Sequence, residues 1–497
     1  MPTVISGPKL PPYVMPGRGS SMSFVFYDTE TTGTNTSFDQ ILQFAAIRTD
    51  DDLKEIDRFE IRCSLDAHVV PSAGAFRVTG MTIGNVTAAG LPTHYEMVCQ
   101  LRAQLEKWCP TTFVGWNTLS FDENLLRQAF YKCLHPPYLT NTKGNQRSDI
   151  LKLAQCVEAY AEDVLVVPLN EKGKPTYKLD RLAPANGFKD MNAHDAMGDV
   201  EATIFICRLI KDRAPDAWDH MLHCAAKARV ESVINDSPIF LLRDYYGALK
   251  EYPLTRLGDE PNGFATLAYD LSIEPSQLSV LDDVQLAARL KKTPKPVRRI
   301  RSNVAPFVIP VVDGETVGAF SYNSLLERRN ELFAQPSLIE RMSSLSAREA
   351  SVGSEHIEEQ IYDGFPSPAD SARMVRFHAL PWCERYGLVE EFSDARYRTL
   401  GRRLIYAHCP ESLPDSVRQD EKRLVAARLT GHGFDGAPWS TLDQAAAEAA
   451  QFEGEGDGSL AAMLAEFGEF VAVRKRWAKD TLAGKPEGSE GERHQHL

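Results

Sequence analysis

Phe24-Val-Phe-Tyr-Asp28-Thr-Glu30-Thr-Thr-Gly33 is an apolar run that ends on two acidic residues one position apart. Ser23–Tyr27 predicts a short buried strand. In an extended chain residues i and i+2 point to the same face, so Asp28 and Glu30 project together from the strand end. Two such carboxylates repel each other unless a cation sits between them, and hard divalent ions take oxygen ligands of this kind. A bare Asp-x-Glu is more often a solvated acidic turn. Here the apolar strand before it and the Thr-Thr-Gly after it favour the metal-holding reading.

Working outward, Ile41–Arg48 predicts a second strand. Phe59, Ile61, Cys63 and Leu65 alternate with Glu60, Arg62 and Ser64, the period of a third. A helix is expected over His94–Trp108, a strand over Thr112–Trp116, and helices over Asp122–Cys133 and Asp149–Ala161. Val200, Thr203, Ile204 and Cys207 recur at helical spacing on a last helix. Three strands in hairpin-like succession, then strands alternating with helices, predict an α/β unit over residues 23–213 with a mixed sheet flanked by helices.

Two more acidic elements fall on this unit. In Val114-Gly-Trp-Asn-Thr-Leu-Ser-Phe-Asp122 a strand exits through Gly115 and Asn117, and Asp122 opens a helix. Asp is a favoured N-cap, so a structural cap and a metal ligand are equal readings, and one side chain can serve both. In Asn192-Ala-His-Asp-Ala-Met-Gly-Asp199, a cap at Asp195 puts His194 just before the helix and Asp199 in its first turn. An imidazole with a pKa near about 6.5 suits proton abstraction at neutral pH. Alone, such a pair is ordinary surface decoration; its weight comes from being the third acidic element on one unit.

The rest of the chain is less explicit. Residues 214–355 carry short candidate strands, Ile239–Leu242, Phe264–Tyr269 and Phe307–Val312, broken by Pro, Gly and Asp, and predict a small β-rich domain. Residues 356–480 turn helical, with amphipathic stretches at Leu442–Phe452 and Ser459–Trp477. Residues 1–22 and 481–497 are expected to be a disordered leader and tail. Arg289–Arg301 is the most basic segment, with Lys291, Lys292, Lys295, Arg298 and Arg299 inside it and no acidic residue. A solvated linker and a phosphate track are even alternatives there. The 497 residues suit two or three domains. A net charge of −13 weighs weakly against a nucleic-acid partner, because local basic stretches matter more. Nine cysteines without CxxC pairs suggest reduced thiols in a cytoplasmic protein, and no run of about 18 apolar residues predicts a membrane span.

Asp28-x-Glu30, Asp122 and His194-x₄-Asp199 resemble the three motifs of the DEDD exonuclease superfamily in its histidine branch, on a ribonuclease H-like fold. Gln43-Phe-Ala-Ala-Ile-Arg-Thr-Asp50, Ala185-Asn-Gly187 and Asn192-Ala-His-Asp-Ala-Met197 are similar to the bacterial exonuclease I family. Tyr362-Asp-Gly-Phe-Pro-Ser-Pro-Ala-Asp370 resembles the opening of that family's helical C-terminal domain, and 214–355 would correspond to its SH3-like domain. The resemblance implies metal-dependent 3′→5′ hydrolysis of single-stranded DNA, in DNA repair and recombination. Asp28, Glu30 and Asp199 would hold one Mg²⁺, Asp28 would bridge to a second served by Asp122, and Mn²⁺ could substitute. His194 would be the general base. Lys178, Arg127 and Tyr138 match substrate-contacting positions, as Glu30 does, against a reading of ordinary surface charge and packing. A tryptophan that relatives use nearby has no counterpart in Leu139–Thr142. The resemblance further implies a monomer that binds the acidic C-terminal tail of single-stranded DNA-binding protein. An exoribonuclease or proofreading-type exonuclease sharing the motifs, and a non-catalytic nucleic-acid-binding scaffold, stay as alternatives.

Overall fold

Two hairpin-linked strands open the molecule: β1 (Phe24–Thr31) runs antiparallel to β2 (Ile41–Thr49). The computed structural model describes residues 23–189, 195–347, 353–454 and 458–485. His194, the leader 1–22 and the tail beyond residue 485 lie outside these. β3 (Glu55–Arg62) pairs antiparallel with β2, and β4 (Thr112–Gly115) and β5 (Gln146–Asp149) add in parallel on the other side of β1. The order β3-β2-β1-β4-β5 is the mixed sheet of a ribonuclease H-like α/β fold.

β3 begins four residues before the alternation that predicted it. Leu53 at φ 59° and the Lys54 N–H donating to the Asp50 carboxylate turn the chain tightly, so pairing starts at Glu55. The first residues of this edge strand are exposed, which leaves only its second half with an apolar signature. β5 is Gln-Arg-Ser-Asp and has no apolar run at all. Its Arg147 is buried because Glu123 accepts from its guanidinium at 2.7 Å.

The helices of this unit are α1 (Ala73–Thr79), α2 (Ile83–Val86), α3 (His94–Trp108), α4 (Asp122–Lys132), α5 (Ile150–Cys156), α6 (Leu179–Ala185) and α7 (Ala196–Arg213). The helix expected over Asp149–Ala161 stops at Cys156 and tightens into a 3-10 turn, with Asp149 as its N-cap. Alternate residues of β1 feed two cores. Phe24 and Phe26 pack against α5, α6 and α7, whereas Val25 and Tyr27 pack against α3 and α4.

α8 (Pro215–Ala225) and α9 (Lys227–Asp236) lead into a second sheet, so this segment holds more helix than its sequence suggested. Its strands are β6 (Phe240–Tyr245), β7 (Leu249–Asp259), β8 (Thr266–Asp270), β9 (Val297–Ile300) and β10 (Phe307–Pro310), all antiparallel in the order β10-β6-β7-β8-β9. α10 (Ser276–Ser279) and α11 (Asp283–Lys291) interrupt it, and α12 (Tyr322–Phe333) and α13 (Pro336–Ser346) follow.

The basic segment is not a linker: β9 lies inside it. Arg299 pairs with Glu260, and Arg298 lies 3.2 Å from the Tyr252 ring centroid and 3.5 Å from Asp270. Of its lysines and central arginines, Lys291, Lys292 and Lys295 are exposed and Arg298 and Arg299 are partly buried.

The final helices are α14 (Pro368–Ala379), α15 (Arg385–Glu390), α16 (Ala395–His408), α17 (Asp415–Thr430), α18 (Leu442–Ala450) and α19 (Gly458–Leu482). They share cores with the first sheet unit. Phe377 and Leu388 pack with Leu125 and Phe130, and Phe467 meets the Phe76 ring edge-on at 6.1 Å. All nine cysteines are free thiols. Among the described residues no helix is long and apolar enough to cross a membrane.

Candidate active site

β1 continues as a strand through Asp28 and Glu30, so both carboxylates extend the face of Phe24 and Phe26, toward α7. Asp199 lies in the first turn of α7, where its N–H donates to the Asp195 carbonyl at 3.0 Å. One oxygen from each of Asp28, Glu30 and Asp199 lies within 4.8 Å of the others.

Thr29 points to the opposite face and donates its hydroxyl to Asp122 at 2.5 Å. Asp122 is the first residue of α4, not its cap. Phe121 occupies the cap position, and its side chain makes no capping bond. Asp122 sits one residue further in, its carboxylate accepting from its own backbone N–H and buried beside the other acids. Next in sequence, Glu123 accepts from Tyr27, Arg127, Thr140 and Arg147, which fixes the start of α4.

The electrostatics follow from crowding. Burial first, then repulsion from Asp122, Asp199 and Glu30, raises Asp28 well above the usual carboxylate range. Burial, Asp199, Asp122 and Asp195 push Glu30 up to about 8, with Arg62 opposing. Burial raises Asp122 to about 7 despite the Thr29 hydrogen bond. Arg62 and Thr29 offset only part of this accumulation of negative charge. A divalent cation among the oxygens would offset the rest, and the donor set is all carboxylate, which suits a hard ion.

The groups that support the acids make contacts the local sequence does not show. The Asp195 carboxylate, at the α7 N-cap position, makes no capping bond; it accepts from Gln43 Nε2 at 2.9 Å and from Arg62 at 2.7 Å. Gln43 stands opposite Glu30 in the β1–β2 register, so the latch borders the acids. Asp149 accepts from the Asn117, Leu119 and Leu151 backbone N–H groups and holds the loop between β4 and α4. Contacts made across the sheet leave no pattern in the local sequence.

The expected substrate contacts divide. Arg127 is not free surface charge: it pairs with Glu123 at 2.8 Å, and its guanidinium lies 5.3 Å from the Tyr138 ring centroid. Tyr138 meets Phe365 edge-on at 5.7 Å, and Phe365 is 81% exposed. Phe365 and the exposed Tyr362 belong to the stretch that opens the helical region, and sequence reading gave neither a role. Lys178 stands apart on an exposed loop end, where the Trp116 indole N–H donates to the neighbouring Tyr177 carbonyl at 3.1 Å.

Residues 25–207 match the family model described as Exonuclease. The chain is 29% identical over 375 residues to exodeoxyribonuclease I of Escherichia coli K12, covering 71% of this chain and 78% of that protein. It is 28% identical over 383 residues to exodeoxyribonuclease I of Haemophilus influenzae, covering 72% and 80%. Among solved structures, exonuclease I from Methylocaldum szegediense superposes with a TM-score of 0.78 at 25% identity, over 91% of this chain and 100% of that one. E. coli exonuclease I in complex with a dA16 oligonucleotide gives 0.79 at 24% identity, over the same shares.

Proposed function

Taking the chain as a homologue of the exodeoxyribonuclease I proteins, we propose that it hydrolyses single-stranded DNA from the 3′ end and releases nucleoside 5′-monophosphates. The observation that carries this reading is the convergence of Asp28, Glu30 and Asp199 within 4.8 Å, with buried Asp122 joined to the same strand through Thr29. Asp28, Glu30 and Asp199 would hold one divalent ion. Asp28 would bridge to a second, with Asp122 acting on it directly or through water. Mg²⁺ is the ion we assign, with Mn²⁺ able to replace it. When bound, such ions activate water and stabilise charge on the attacking and leaving oxygens.

The residues of this chain supply the rest. His194 takes a proton from the attacking water. The water oxygen bonds to phosphorus, the bond to the 3′ oxygen breaks, and that oxygen takes a proton from solvent, so the shortened strand keeps a 3′ hydroxyl. Glu30, Arg127, Tyr138 and Lys178 contact the strand, and the exposed rings of Tyr362 and Phe365 extend the aromatic surface on which bases stack. We read 23–213 as the nuclease domain, 214–355 as the SH3-like domain and 356–480 as the helical domain. We also propose a cytoplasmic monomer in DNA repair, with the acidic tail of single-stranded DNA-binding protein as a partner. A peptide of that tail should bind in a salt-sensitive way.

The deciding assay offers labelled single-stranded DNA and RNA of equal sequence with Mg²⁺. Mononucleotide release from DNA that stops with EDTA is expected. Preference for RNA would move the chain to an exoribonuclease reading, and no release would make it a scaffold. In the same assay Asp28→Ala or Asp199→Ala should abolish cleavage and weaken metal binding. His194→Ala should lower turnover by about 10²–10⁴-fold with metal affinity kept. Equal turnover of His194→Ala and wild type at neutral pH would remove the base assignment.

A further inference from the structure

Glu30, Gln43 and Arg62 form one row across the first sheet, directly opposite one another on β1, β2 and β3. Opposed residues of antiparallel strands point to the same face, so Gln43 and Arg62 share the face of Glu30, toward α7. Asp195, at the N-cap position of α7, meets this row. Two donors reach the same oxygen of its carboxylate, Gln43 Nε2 at 2.9 Å and Arg62 Nη2 at 2.7 Å. Gln43 Nε2 also donates to Glu60 at 2.9 Å, and Glu60 lies 3.5 Å from Arg62 Nε.

An aspartate at an N-cap ordinarily accepts from a backbone N–H of the first turn. Asp195 makes no such bond and reaches across to the sheet instead. The turn it opens carries Asp199, whose N–H donates to the Asp195 carbonyl at 3.0 Å. Ala196 and Met197 pack that turn into the core, and the Asp195 contacts fix its start against β2 and β3. An exposed ion pair contributes little on its own. Gln43, however, is buried and bonded to both acids, so the four side chains hold one arrangement.

On the metal-dependent reading above, we infer that Gln43 and Arg62 are positioning residues. By holding Asp195 they set where Asp199 stands against Asp28 and Glu30, and so how tightly the three acids bind a divalent ion. Neither belongs to the group whose oxygens meet within 4.8 Å. A positioning role and a purely electrostatic one predict different signs. Arg62 is a cation near the acids, so through charge alone its loss would tighten the binding of another cation. Gln43 is neutral, and through charge alone its loss would change nothing. Held geometry predicts that either loss weakens binding, because the contacts behind metal ligands govern affinity by about 10–100-fold.

Calorimetric titration of Mn²⁺ into the full chain, after EDTA treatment and gel filtration, separates the two roles. Arg62→Gln and Gln43→Leu should each bind Mn²⁺ about tenfold more weakly than the wild type. Arg62→Lys keeps a cation within reach of Asp195 and should recover most of the loss. Arg62 is half-exposed on an edge strand, so Arg62→Gln keeps the fold and decides the question even if Gln43→Leu does not fold. Circular dichroism of the metal-free variants checks this. Mn²⁺ binding by Arg62→Gln that equals or exceeds that of the wild type overturns the positioning role and leaves the metal-dependent reading standing. Wild-type protein that takes up no Mn²⁺ overturns both.

Discussion

The 2.5 Å hydrogen bond from Thr29 to Asp122 is the contact through which β1 holds the acid of α4. It lowers the Asp122 pKa against a larger rise from burial. Thr29→Val keeps the shape and removes the donor, so Asp122 should take up its proton at higher pH. The acid limb of the pH–rate profile should move upward in pH, with turnover at neutral pH down by about tenfold. An unchanged acid limb would mean that Asp122 does not report on the rate. The acids also set a pH dependence of stability in the metal-free protein. Glu30 is raised from an ordinary carboxylate value to about 8 and Asp122 to about 7. The folded state therefore binds more protons than the unfolded one over this window. The contribution of these two acids to stability is fully present below about pH 4 and is lost as pH rises through 7 and 8. In EDTA the thermal midpoint should drop between pH 6 and 8.5, Asp28→Asn should blunt the drop, and Mg²⁺ should reverse it in the wild type; scanning calorimetry measures all three. The acids could be read from sequence because cation chemistry restricts residue type and spacing. The contacts of Thr29, Gln43 and Arg62 could not, because their partners lie on another strand, on α4 or at the start of α7.

At the scale of elements, Gly115 shows how one residue places a ligand. It ends β4, and a Cβ built there would lie 2.5 Å from the Tyr27 carbonyl oxygen and 2.0 Å from the Thr118 hydroxyl. Only glycine lets β4 finish this close to β1 and release the loop that delivers Asp122. Gly115→Ala should cost about 1–3 kcal/mol through forced displacement of packed backbone. It should also lower activity more than an equally destabilising change remote from the site. Urea unfolding beside turnover at low temperature separates the two effects. The elements differ in how far sequence revealed them. His94–Trp108 emerged with its observed bounds because an apolar stripe lies behind a Thr93–Glu96 capping box. β5 is polar and held by ion pairing. β7 runs through Pro253 and Gly258 with a register shift, and β9 is half arginine, so alternation gave no warning of any of the three.

On the scale of the whole molecule, the helical region is bound into the nuclease unit by polar anchors as well as by shared cores. Glu358 is buried and accepts from Arg428 and, at 2.8 Å, from Arg403. Its own carbonyl accepts from Gln128 of α4 at 2.9 Å, and the adjacent Ile357 carbonyl accepts from Tyr131 at 3.0 Å. One short segment thus ties α4 to α16 and α17. The two guanidiniums and Lys132 hold the Glu358 carboxyl well below its ordinary range against the cost of burial. Its stabilisation is present above about pH 4.5 and is lost as pH falls toward the depressed folded value. Glu358→Gln keeps the volume and leaves buried positive charge without its counter-charge. Removing one partner of a buried pair costs about 3–5 kcal/mol, and the partial exposure of Arg403 puts the expectation at the low end, about 3 kcal/mol. The variant should therefore melt several degrees below the wild type at pH 7. The gap should narrow below pH 4.5, because the wild type then loses what the variant never had. Metal binding at the carboxylates at low temperature should be unaffected, since Glu358 touches none of them. A melting difference that stays constant from pH 7 to pH 3 would show that the carboxylate charge is not what binds these parts of the molecule together.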